Sequence, residues 1–289
     1  MALIYNATFD SQTRILSLLD KAGNVISSCE VPSKEVDDPT KPLMLRAIEN
    51  NSSVTLKQNG TLSNTYQTST NGTDWTDYTL GTKISLNNGE SVYFRCSNHP
   101  TTPTFSDYVS FVMEGKIEAW HNAYSMIRSD FSSAEGSVGE YGMFSLFENC
   151  SSLMKAPLLL NALADYCYMY MFFNCKSLTS APELPATTLA PHCYKFMLKG
   201  CKSLTSAPEL PATTLAPHCY VQMFSGCSKL KEVRIAATTT AEDSLTYWLY
   251  GVSGKGDFYC DPSATIFPTD SVDGIPLWWT RRNIADYPN

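Results

Sequence analysis

Residues 176–194 and residues 202–220 both read KSLTSAPELPATTLAPHCY, nineteen identical positions at an offset of 26. A chain that repeats itself so strictly must stack similar units, because each unit is too small to bury its apolar face except against its neighbours. The frame runs beyond the identical copies. Cys150, Cys175, Cys201 and Cys227 close the segments LFENC, MFFNC, MLKGC and MFSGC at intervals of 25, 26 and 26, and Val252 in LYGV takes the next position. Within one unit, residues 177–184 form an extended run ending in Pro-Glu-Leu-Pro, where the prolines stop any helix. In the second half, Leu189, Cys193 and Met197 recur four residues apart. That spacing predicts a helix or 3-10 segment, with Gly200 or Gly226 ending it. The unit therefore reads as strand, turn, short helix.

The motif C-x-S-L-T-x-x-P-x-L-P-x-x-x-L-x-x-x-C-Y-x-x-M-F-x-G-C resembles the BspA-like (Treponema-type) leucine-rich repeats of surface proteins in gut Bacteroidetes and their phages. The resemblance covers about residues 140–260, and the closing VDGIPLWW at 272–279 is similar to the end of such arrays. The first unit, Cys150 to Phe173, is degenerate, and the last has Ser244 where the second cysteine belongs. Degenerate ends suit units that face water on one side. The expected fold class is mixed β and α/β: an N-terminal β-strand anchor, a small antiparallel β-sandwich and a C-terminal leucine-rich-repeat solenoid.

The expected boundaries are 1–40 for the anchor and linker, 41–122 for an Ig-like sandwich, and 123–289 for the repeats with their caps. Between 43 and 118, seven short alternating or apolar runs are separated by Asn-Gly-type turns, the pattern of a sandwich, with Trp75, Tyr93 and Phe111 as its expected aromatic core. Upstream, TRILSLL and VISSCEV flank a turn at 20–24, and ALIY offers a third strand. A piece this small scarcely buries a core of its own, so self-association or docking is expected through Ile15, Leu18, Val25 and Val31. The alternative is that it extends the sandwich.

The net charge of −7 argues against a nucleic-acid partner. Membrane insertion is not expected either, because the longest apolar stretch, 156–173, is interrupted by Pro157, Asn161 and Asp165. MALIYNATFDSQTRIL has no basic segment followed by a long apolar one, so no export signal is expected and the ten cysteines default to thiols, with disulfides as second choice. Seven of those cysteines lie on the repeat frame and read as core positions.

No hydrolase, zincin, Walker or Rossmann motif occurs, and no enzyme activity or cofactor is expected. His192-Cys193 and His218-Cys219 have the residue count of a zinc site, but adjacent side chains diverge, so no metal is expected. Between the copies, Lys195-Phe196 and Val221-Gln222 differ, as do Leu198-Lys199 and Phe224-Ser225, while Met171, Met197 and Met223 stay constant. Variation on a fixed scaffold marks a recognition surface, with neutral drift after duplication as the competing account. The candidate ligand face is Tyr170, Phe173, Lys195, Lys199, Gln222, Ser225 and Trp248. Tyr247, Tyr250, Trp278 and Trp279 are either sugar-stacking rings or packed caps.

Residues 141–260 carry nine basic and eight acidic side chains, so the array is almost neutral and recognition by it should depend weakly on salt. The layout resembles head-fibre or tail-fibre proteins of crAss-like Bacteroides phages. That resemblance implies a virion protein held to capsid or tail by its N-terminus, forming a homodimer or homotrimer, and adhering to host surface or mucosal glycan. The runner-up is a bacterial cell-surface adhesin.

Overall fold

The computed structural model describes residues 6–10, 15–19, 22, 25–30, 36–128, 138–269 and 273–287. The chain forms two units, Met1–Val36 and Asp37–Asn289. In the first, strands β1 (Asn6–Asp10), β2 (Ile15–Leu19) and β3 (Val25–Glu30) pair antiparallel in the order β1-β2-β3, with Phe9 opposite Leu16 and Leu16 opposite Cys29. The hairpin of β2 and β3 lies where the turn signal at 20–24 puts it. The additional strand is at 6–10, whereas ALIY falls outside the described residues.

In the second unit, β4 (Met44–Ala47), β5 (Ser52–Asn59), β6 (Thr65–Ser69), β7 (Thr76–Tyr78), β8 (Ile84–Leu86), β9 (Ser91–Asn98), β10 (Tyr108–Glu114) and β11 (Ile117–Trp120) build two sheets. One has the order β10-β5-β8. The other runs β11-β4-β9-β6-β7 and takes a further strand from the repeats, β12 (Leu153–Lys155), parallel to β11. Alternation along β9 buries Val92, Phe94 and Cys96 and turns Tyr93 and Arg95 outward. The aromatic core is therefore Phe94 against Phe111, ring centroids 5.0 Å apart. Tyr93 instead stacks on His121, and Trp75 lies half-buried beneath the Arg95 guanidinium at 4.2 Å.

The repeats correct the expected class. About 30% of the described residues are in strands and about 3% are helical, no α-helix occurs among them, and neither the mixed α/β layout nor the leucine-rich-repeat solenoid is what the chain forms. In a helix every amide turns back to the residue four before it. Here only alternate amides turn back, and only by three: Met169 to Tyr166, Met171 to Tyr168, Phe173 to Tyr170 and Cys175 to Phe172. The others donate along the array to the next copy: Tyr168 to Cys193, Tyr170 to Lys195, Phe172 to Met197 and Asn174 to Lys199. Each second half is thus a run of tight turns with every fourth residue at positive φ, as at Tyr166, Tyr170 and Asn174. A four-residue turn period and a helix put Cys193 and Met197 in the same relation, which is why the spacing alone suggests a helix.

The extended halves form no continuous ladder either. Pro182, Pro185, Pro208 and Pro211 remove donors, leaving isolated bridges such as Lys155 to Ser180 and Leu210 to Ile235. A parallel sheet returns only at the C-terminal end, where β13 (Glu232–Arg234), β14 (Gly256–Cys260) and β15 (Trp279–Asn283) pair in that order.

Strand β10 stands in for a preceding copy. Phe111 N–H donates to the Leu146 carbonyl, as Phe147 does to Met171 and Phe172 to Met197. The Cys150 thiol donates to the Phe111 carbonyl at 3.1 Å, as Cys175 does to Phe147 at 3.1 Å and Cys201 to Phe172 at 3.2 Å. One column of rings thereby runs Phe111, Phe147, Phe172 at spacings of 5.3 and 5.5 Å. At the far end the Asp273 carboxylate accepts the Tyr247 amide at 2.8 Å, satisfying a donor that has no further copy to bind.

Candidate functional site: the turn face

The turn runs present three columns of positive-φ residues, one from each copy. The first holds Tyr141, Tyr166, His192, His218 and Asp243, the second Ser145, Tyr170, Phe196, Gln222 and Tyr247, and the third Asn149, Asn174, Gly200, Gly226 and Gly251. Left-handed backbone disfavours bulky tyrosine and phenylalanine, and ring stacking along the array offsets that cost. Tyr141, Tyr166, His192 and His218 stack at successive centroid distances of 4.7, 4.3 and 4.6 Å. Burial chiefly, then the Lys195 ammonium and His218, hold His192 below its ordinary pKa.

Around the second column lie most of the candidate ligand residues. Tyr170 stacks on Phe196 at 4.7 Å and meets Phe173 edge-on at 5.4 Å. The Lys199 ammonium lies 5.3 Å from the Phe196 centroid and 5.9 Å from that of Phe173, and it donates to Gln222 Oε1 at 2.5 Å. Lys195 Nζ is 5.4 Å from the Phe196 ring. Burial pushes the Tyr170 hydroxyl pKa up, with Glu148 adding to the shift. Tyr170, Phe173, Lys195, Lys199 and Gln222, all half-buried, thus form one ring-and-ammonium cluster.

Two candidates do not belong to it. Trp248 is fully buried against Tyr220 and Phe267 and donates its indole N–H to the Gly274 carbonyl at 3.3 Å, so it is a core residue at the end of the array. Ser225 is 5% exposed. Phe196 is the member that sequence reasoning left out of the face. Aligning the copies at the 26-residue offset puts it directly over Tyr170. Tyr170 also touches Phe144, which meets the exposed Phe105 at 5.4 Å, carrying the apolar strip onto the neighbouring sheets.

Of the anchor candidates, Ile15 and Leu18 fall in β2, Val25 opens β3 with 59% of its surface exposed, and Val31 lies outside the described residues. Cys193 and Cys219 are fully buried while His192 and His218 stand in the outer column, so the two residue types point away from one another. His218, Glu242 and Asp243 each bring one ligand atom within 4.8 Å of the others, an arrangement able to hold a cation at the surface. A groove of about 560 Å³ on another part of the array is lined by Pro182, Glu183, Pro185, Pro208, Glu209 and Pro211. No family model matches the chain, and no curated protein or solved structure matches it either.

Proposed function

We propose that the chain is an adhesion component of a bacteriophage particle, attached through its N-terminal strands and binding host surface or glycan with the turn face. The observation that carries this reading is where the copies differ. Tyr170, Phe196 and Gln222 occupy one positive-φ frame position, and beside it Lys195 and Lys199 stand half-buried where other copies carry the buried Met169, Val221 and Ser225 or the ring of Phe173. The thiols and methionines directly beneath stay constant. Change also reaches the interior at Phe172, Leu198 and Phe224, but the half-buried Tyr170, Phe196, Gln222, Lys195 and Lys199 gather it into one cluster whose stacked rings and adjacent ammonium and amide groups suit the flat faces and hydroxyls of sugars. The virion assignment is supported by the resemblance of the repeat motif to surface-protein repeats of gut Bacteroidetes and their phages.

Two measurements test it. Mass spectrometry of purified particles from a lysed gut Bacteroides culture is expected to find the chain as a structural component. Recovery from host outer-membrane fractions with absence from particles would favour the bacterial adhesin. The variant carrying Tyr170→Ala, Lys195→Ala, Lys199→Ala and Gln222→Ala together is expected to lose attachment to host cells by roughly tenfold or more while keeping its fold. Unchanged attachment would remove the turn face from the account.

A further inference from the structure

Residues 276–279 close a β-turn in which the Trp279 N–H donates to the Pro276 carbonyl at 3.1 Å. Trp278, the third residue of that turn, has a φ of +69°. Glycine or asparagine ordinarily fills such a slot, because a Cβ is penalised there. Burial does not compensate: Trp278 is 73% exposed and stacks on no other ring among the described residues, unlike the positive-φ residues of the turn-face aromatic columns. Its neighbour Trp279 is the packed one, buried and donating to the Ser253 carbonyl at 2.7 Å.

The Trp278 ring borders an open depression of about 340 Å³, whose other walls are Lys231, Lys255, Gly256, Asp257 and Thr280. Gly256 is required in its wall, since a Cβ there would lie 2.5 Å from the Lys231 carbonyl and 2.7 Å from the Trp279 ring. Both lysines are exposed, and neither ammonium is paired with a carboxylate among the described residues. The one acid in the wall, Asp257, is already engaged by Arg282 at 2.6 Å. The depression therefore offers a flat apolar ring, two uncommitted positive charges and a hydroxyl.

We infer that this depression binds a pyranose carrying a carboxylate or sulfate, the sugar face stacking on Trp278 and its anionic group held by Lys231 and Lys255. A nucleotide also combines a flat ring with negative charge, but a net charge of −7 gives this chain no general attraction for nucleic acid. The inference uses no turn-face residue and stands apart from the adhesion reading above.

Calorimetric titration of the full chain with sialyllactose, a glucuronate oligosaccharide, a sulfated galactose oligosaccharide, lactose and AMP tests it. At least one anionic sugar is expected to bind about tenfold or more tighter than lactose and to weaken as salt is raised. Trp278→Gly removes the ring while easing the backbone, so its thermal midpoint should hold or rise while affinity falls at least about tenfold. The Lys231→Gln/Lys255→Gln variant should bind charged and neutral sugars alike. The turn-face quadruple variant should bind like the unmodified chain, which separates the two sites. The inference is overturned if none of the three anionic sugars binds, if Trp278→Gly binds undiminished, or if AMP binds tighter than all three.

Discussion

Gly200 shows how narrowly the turn runs are specified. It occupies the third positive-φ column at +78°, and a Cβ there would lie 2.4 Å from Asn174 Oδ1. Gly226, one copy on at +76°, faces only Gly200, at 3.8 Å. Gly200→Ala must therefore displace the Asn174 side-chain amide, which also donates to Asn149 at 3.1 Å, as well as bear a disfavoured φ, and should cost somewhat more than the roughly 1 kcal/mol expected of Gly226→Ala for the backbone alone. Urea unfolding of the two variants measures the difference, and equal costs would refute the contact. The thiols give a second prediction at this scale. The nine cysteines from Cys96 to Cys260 are free and buried, and burial raises the Cys219 and Cys227 pKa from 9.0 to about 12. The folded state then holds protons that the unfolded chain releases, so this stability is intact below pH 9 and is lost as pH rises from 9 towards 12. Thermal midpoints should fall over that range, and Cys219→Ala/Cys227→Ala should shallow the slope. The spacing of 8 and 18 residues made these cysteines legible as core positions. It gave no sign that Cys175, Cys201 and their equivalents also donate to the neighbouring copy, since that depends on the turn geometry.

The repeated element was legible in period but not in conformation. Apolar spacing of four fits both a helix and a chain of four-residue turns, and the decision rests with the backbone amides, which leave little trace in side-chain pattern. The third column did carry a signal: Asn149, Asn174, Gly200, Gly226 and Gly251 are the residue types that adopt positive φ readily. A helix needs such a residue once at its end, and the same position also ends each turn run. The sheets show a smaller version of the same limit, because alternation along β9 was evident while its phase, Phe94 inward and Tyr93 outward, was not. Stacking through nearest neighbours makes the unit removable. Deleting residues 176–201 joins Cys175 to Lys202 and restores the same sequence across the junction. That deletion should fold with unchanged far-ultraviolet dichroism per residue and a midpoint only a few degrees lower, whereas deleting thirteen residues should abolish cooperative unfolding. Calorimetry of the two deletions decides it.

At the scale of the molecule, a cut at 122/123 runs through the joint between sheets and repeats. Ile117 pairs with Leu153, Phe111 donates to Leu146 and receives the Cys150 thiol, and Lys155 reaches back to Asp37 at 2.6 Å while lying 3.9 Å from the Trp120 ring. The passage from alternating strand runs to the 26-residue frame marks a change of architecture, but the two architectures share one core, which a sequence pattern does not reveal. Separating them would expose Phe147, Cys150 and Leu153, all at most 1% accessible. At about 2 kcal/mol for each large side chain, that loss is of order 5 kcal/mol, comparable with the whole stability of an ordinary domain. A fragment of residues 123–289 should therefore fail to unfold cooperatively. A chain beginning at Asp37 retains the contacts just named, as well as the Asp37 carboxylate that receives the His121 amide at 2.8 Å. Beginning instead at Leu43 removes the Asp37–Lys155 ion pair, the Asp37 acceptor of the His121 amide, and the Pro39 and Lys41 carbonyls that accept from Asn122, and should lower the midpoint by more than a few degrees relative to the chain that begins at Asp37. Differential scanning calorimetry of the three truncated chains checks the order, and a stable, cooperative 123–289 fragment would show that the sheets do not cap the repeats.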